Sequence, residues 1–147
     1  MNPASMNGLD LLNGMIDGHF PKPSMGKTMN ATLVKAKLGY AKFTAMAGEE
    51  HLNPMGGVHG GFACAVLDSV TGCAVHSMLE AGDSYGTIDI NIKMMRPVPV
   101  NTPLIAESHV LNMSKSLGVS EGKLMDENGK LYAYASCTCK ITRANRD

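Results

Sequence analysis

Gly60 to Leu79 reads GGFACAVLDSVTGCAVHSML, twenty residues without a Lys, Arg or Glu. Its apolar residues fall on every side of a helical wheel, which predicts a helix enclosed by protein rather than one resting on a surface. The stretch is long enough to cross a bilayer, but Asp68, Ser69, Thr71, His76 and Ser77 argue against that. A chain of 147 residues has room for about one core. The other segments must therefore pack against this helix.

They have the right periods to do so. Asn7 to Phe20 carries Leu9, Leu12, Ile16 and Phe20 at helical spacing, and Pro21 and Pro23 end it. Met29–Ala36 and Tyr40–Met46 read as strands around a turn at Leu38-Gly39, and Gly48–Gly57 reads as an irregular loop. Beyond Gly82 the period becomes two. Ile88, Ile90, Ile92 and Met94 alternate with Thr87, Asp89, Asn91 and Lys93, which predicts a half-buried strand closed by Arg96-Pro-Val-Pro.

Leu104–Met113 and Ser116–Met125 follow as strands. Asn128-Gly129 marks a hairpin, and Leu131–Thr142 places Leu131, Ala133, Ala135, Cys137, Cys139 and Ile141 on one face. The expected class is α+β: an antiparallel sheet with one long central helix against its apolar face, preceded by a short N-terminal helix. Residues 1–147 read as one domain, with 1–28 a helical extension and 29–143 the core.

Composition narrows the function classes. Thirteen Lys plus Arg balance thirteen Asp plus Glu, so the basic excess of a nucleic-acid-binding surface is missing. With 44% hydrophobic residues the chain is not a disordered one, and no uncharged apolar run reaches the length of a membrane span. The first basic residue is Lys22, after Asp10 and Asp17, so no secretory start is expected. Cys64, Cys73, Cys137 and Cys139 are too scattered for a structural zinc site. They read as reduced packing thiols, which suits a cytoplasmic protein.

Asp68 is the only carboxylate in the enclosed helix. Either it reaches water or a cap through a gap, or it is a general base or nucleophile whose environment tunes its pKa. Just upstream, Asn53-Pro-Met-Gly-Gly-Val-His59-Gly60-Gly61 runs into the helix start. Gly60 and Gly61 allow a substrate close to the backbone, and first-turn N–H groups backed by the helix dipole favour developing negative charge.

Gly60 and Asp68 lie eight residues apart, roughly 12 Å along a helix. That is too far for both to serve one carbonyl in the same chain. Two antiparallel copies related by a two-fold axis bring Gly60 of one opposite Asp68 of the other, so the expected site is shared between protomers.

Asn53, His59-Gly60-Gly61 and Leu67-Asp68-Ser69, with the Ile-Lys-Met-Met-Arg-Pro stretch after the helix, resemble the PaaI-like (phenylacetate-type) hotdog-fold acyl-CoA thioesterases. The likeness runs from about Leu38 to Ile141. It implies that Asp68 activates water or attacks the thioester, and that the Gly60 N–H polarises the carbonyl. It further implies that Asn53 and His59 orient thioester and water, and that Thr87 positions the water. Arg96, Lys115 and Lys123 are candidates for the coenzyme A phosphates. The resemblance also implies homodimers that pair into homotetramers, with no metal or redox cofactor. No motif of a hotdog dehydratase is present. A non-catalytic acyl-CoA-binding module on the same fold is the alternative.

Overall fold

The turn at Leu38-Gly39, with Gly39 at a φ of 72°, closes the first hairpin of the computed structural model, which describes residues 2–146. Its strands are β1 (Ala31–Lys37) and β2 (Tyr40–Ala45), and the chain then leaves the sheet for the long helix α3 (Gly60–His76). It returns as β3 (Ser84–Met94), β4 (Leu104–Met113), β5 (Leu117–Asp126) and β6 (Leu131–Thr142). Every pairing is antiparallel and the order is β1-β2-β4-β5-β6-β3. β3, the first strand after the helix, is thus an edge strand, hydrogen-bonded only to β6 within the chain. Among the described residues no helix is long and apolar enough to cross a membrane.

Phe62, Val66, Leu67 and Val70 of α3 pack into one core with Leu104, Ala106, Leu124, Ala133 and Ala135 of the sheet. Burying each of the larger side chains contributes about 2 kcal/mol. Buried hydroxyls fasten helix to sheet. Ser120 Oγ donates to the Thr71 carbonyl at 3.1 Å, and the Gly39 N–H donates to Ser77 Oγ at 2.8 Å.

The N-terminal segment departs from expectation. Helix α1 spans Gly8–Ile16, capped by the Asn7 side chain on the Asp10 N–H, and does not continue to Phe20. Gly18, at a φ of 81°, turns the chain, and a second short helix, α2 (Ser24–Thr28), follows the prolines. Gly8 lets α1 dock on the end of α3. Its N–H donates to the Leu79 carbonyl at 2.9 Å, and an added Cβ would fall 1.7 Å from the His76 carbonyl oxygen.

Two further expectations are corrected. Helix α3 is not enclosed all round: Gly61 and Asp68 are exposed, and Cys64, Ala65 and Ser69 only partly covered, because one curved sheet reaches around part of its circumference. Nor does β3 alternate uniformly. A bulge between Thr87 and Asp89 shifts the register against β6 and leaves Ile88 61% exposed, while Ile90 and Ile92 stay on the core side.

The loop between α3 and β3 is anchored by Asp83, whose fully buried carboxylate meets Arg143 at 2.8 Å, Arg146, and the Ala144 N–H at 3.0 Å. Burial pushes the Asp83 pKa up, but the Ala144 N–H, the Arg143 guanidinium, the Glu80 N–H and the Arg146 charge outweigh it. They hold the pKa at about 2 against an ordinary 3.8. With the folded pKa depressed, the stability contribution is complete above about pH 4 and is lost as pH falls toward about 2. Urea melts of wild type and Asp83→Asn should therefore differ at neutral pH, with the variant less stable, and converge in acid. Parallel curves at every pH would refute this anchoring role.

Candidate active site

Asp68 stands on the open face of α3, and the β3 bulge turns Thr87 toward it. Thr87 Oγ1 donates to Asp68 Oδ1 at 2.9 Å. Uniform alternation would have sent Thr87 to the face opposite Ile90, so the extra residue at Ile88 is what aims this hydroxyl. Among the described residues Asp68 Oδ2 has no partner and remains available to accept a proton.

Behind Thr87 lie the thiols of Cys137 and Cys139, 3.8 Å apart and about 4 Å from its hydroxyl. All four cysteines are free thiols. The hydrogen bond between the pair lowers the pKa of Cys137 and raises that of Cys139. Burial, with the nearby Asp68 charge adding to it, pushes the Cys73 thiol up to about 12. Burial chiefly, and then the neighbouring Cys73, Cys139, Asp68 and Cys137, also raises the Tyr85 phenol.

The second cluster forms at the start of α3. His59 is the N-cap: its Nδ1 accepts from the Gly61 N–H at 2.8 Å, and its carbonyl accepts from the Phe62 N–H at 3.0 Å. With Nδ1 accepting, the neutral ring carries its proton on Nε2. The Gly60 N–H has no partner among the described residues, so this first-turn donor is free. The loop before it is shaped by Asn53, whose Oδ1 accepts from the N–H groups of Met55 at 3.0 Å and Gly57 at 3.2 Å. That leaves the Asn53 amide nitrogen without an intrachain partner among the described residues. His59 and Gly60 open on a recess of about 310 Å³ shared with Met94, Arg96 and Val98. Arg96 is steered there by a 2.6 Å hydrogen bond from Nη1 to the Leu131 carbonyl.

The structure thus assembles Asp68 with Thr87, and His59 and Gly60 with Arg96, as two separate clusters. Because the helix begins at Gly60, these lie roughly 12 Å apart along α3. Asn53 belongs to the loop that leads into the second. Other sequence candidates are placed elsewhere. The Gly61 N–H is occupied by His59. Lys123 alternates with Gly122 and Leu124, which face α3, so it points to the outer face of the sheet. Lys115 lies in the β4–β5 turn, three residues before Gly118, which packs against Val75 near the far end of α3. Tyr85, two residues before Thr87, was not anticipated at the site. A parity clash signals it: aromatic Tyr85 and apolar Ile90 can share a face only if one residue between them is skipped. Among the described residues no three His, Cys, Asp or Glu side chains are grouped to hold a metal.

Comparison with known proteins identifies the family and the fold. Residues 55–133 match the thioesterase superfamily. Human acyl-coenzyme A thioesterase 13 is 31% identical over 108 residues, covering 73% of this chain and 76% of the human protein. Among solved structures, a phenylacetic acid degradation-related protein from Ralstonia eutropha is 29% identical, with a TM-score of 0.80 over 88% of this chain and 98% of that one. The PaaI protein of E. coli, 19% identical, shares the fold with a TM-score of 0.78 over 91% of this chain and 94% of its own. With the family matched over more than half its length and one sheet curved about a central helix, the chain belongs to the thioesterase superfamily and has the hotdog fold.

Proposed function

We propose that the protein hydrolyses an acyl-CoA to the free acid and coenzyme A, at sites shared between two protomers. The observation that carries this reading is the Thr87–Asp68 hydrogen bond on the one face of α3 left open. Thr87 orients the carboxylate by occupying Oδ1, and Oδ2 accepts a proton from the attacking water. The water oxygen adds to the thioester carbon, whose oxygen takes up negative charge at the Gly60 N–H, with the α3 dipole behind it. When the C–S bond breaks, the proton passes to the departing sulfur. Asn53 through its amide nitrogen and His59 through Nε2–H supply further donors around the thioester, and Arg96 offers a cation for the coenzyme A phosphates. No metal or redox cofactor is required by these steps.

The separation of the two clusters supports a two-fold arrangement in which α3 of one protomer runs antiparallel to its partner's. The unpaired edge of β3 and the exposed Ile88 lie beside Asp68, where a second copy would meet the first. Two such dimers form the proposed tetramer, in the cytoplasm. Release of free thiol from a series of acyl-CoA substrates tests the reading. Turnover is expected; binding without release at every chain length would instead establish a non-catalytic acyl-CoA-binding module.

A further inference from the structure

A cavity of about 360 Å³ lies beside α3 on the flank next to Asp68. Its floor is a stripe of the helix, Val66, Ser69, Cys73 and His76. Its far wall is β1 with Phe43 of β2, and its roof is the N-terminal segment, through Leu12, Met15 and Ile16 of α1 and Met25 and Met29 in and after α2. The family match begins at residue 55, so the roof lies wholly outside it.

Two elements lead from the Asp68–Thr87 pair into this space. On the helix, Asp68 is followed by Ser69, which lines it. On the strand, Thr87 is preceded on the same face by Tyr85, which also lines it and whose ring is tilted 43° to that of His76, with centroids 5.2 Å apart. Asp68 and Thr87 do not themselves line the cavity; it begins one residue beyond the first and two residues before the second, and its walls are overwhelmingly apolar.

We infer that this cavity receives the acyl chain, that its occupant is an unbranched medium-length aliphatic chain, and that the N-terminal segment sets the length accepted. The inference rests on the acyl-CoA reading above. The shape argues for a chain rather than a ring, since the floor runs ten residues along α3, about 15 Å. His76 lies eight residues, about 12 Å, beyond Asp68, which is about the reach of a decanoyl group. Thioether methionines in the roof adapt to a flexible alkyl chain as a rigid aromatic wall does not.

The test is thiol release by the full-length protein with straight-chain acyl-CoA from acetyl to palmitoyl, together with phenylacetyl-CoA. Each added methylene is expected to raise kcat/KM about fourfold until the cavity is full, near decanoyl, with palmitoyl-CoA lower. Cys73 lies about 7.5 Å beyond Asp68 along the helix, so Cys73→Phe should cut the decanoyl-to-butanoyl ratio of kcat/KM by about thirtyfold or more. Met15→Trp, on the partly exposed face of α1, should lower the same ratio from the roof side should Cys73→Phe not fold. An unchanged ratio in both variants, or phenylacetyl-CoA cleaved faster than every straight chain, would overturn the assignment. Absence of thiol release from any substrate would overturn the hydrolase reading instead.

Discussion

Asp68→Asn is expected to lower kcat for acyl-CoA hydrolysis by about a thousandfold while leaving the fold intact, the size of effect seen when a positioned general base is removed. Asn keeps the volume of Asp, and its Oδ1 still accepts the Thr87 hydrogen bond, so the local geometry survives. What disappears is the second oxygen as a proton acceptor. Because the side chain is exposed in the protomer, stability should change by no more than about 0.5 kcal/mol. Steady-state thiol release and a thermal melt check the two halves separately. Near wild-type kcat with an unchanged melt would remove Asp68 from the mechanism. A collapsed melt would show that the carboxylate serves the fold.

Gly60→Pro should be nearly as damaging to activity, at about a hundredfold or more in kcat, and equally mild for the fold. Gly60 is the first helical residue, where proline is tolerated because its missing N–H would have no helical partner. The preceding His59, at φ −61° and ψ 135°, already has the extended backbone that a following proline demands. An added Cβ would meet only the terminal methyl of Met94, at 3.4 Å. The substitution thus removes the proposed oxyanion donor and little else.

The two variants also test the shared site. When refolded together in equal amounts, Asp68→Asn and Gly60→Pro chains form mixed dimers in half of the cases. One of the two sites in each mixed dimer then has an intact Asp68 and an intact Gly60, so about a quarter of wild-type activity should return. No recovery, with mixed dimers demonstrated by mass, would place both groups of each site in one chain.

Much of this arrangement could be read before the fold was known, for local reasons. The helix start at Gly60 follows from a glycine pair after a capping residue. The central helix itself shows in apolar residues on every side of the wheel. The last hairpin follows from Asn128-Gly129, with Gly129 at a φ of 82° and the Asp126 side chain accepting from the Asn128 and Lys130 N–H groups. Turn chemistry and caps act over a few residues, so a few residues reveal them.

The site was legible in kind more than in placement. Asp68, Gly60, Asn53 and His59 could be singled out because a lone carboxylate in an apolar helix and a glycine-rich entry to its first turn are unusual. Thr87 could be matched by resemblance, yet its alternation with Ile88 and Ile90 pointed it away from Asp68. Lys123 looked as suitable for a phosphate as Arg96 until the pleat of β5 sent it to the outer face.

The sequence by itself determined the long helix, the strands and their order along the chain, the residue types available for chemistry, and the end of α3 that presents a free N–H donor. These depend on periods, caps and turns. The tertiary structure alone decided which face of α3 stays open, which cations approach the helix start, where β3 skips a residue, and that α1 and α2 roof a cavity beside Asp68. Those features depend on the strand order and on the register of β3 against β6, which pairs Thr87 with Cys139 and Asp89 with Thr138. Partners about fifty positions apart set that register through packing and hydrogen bonds that no local pattern encodes.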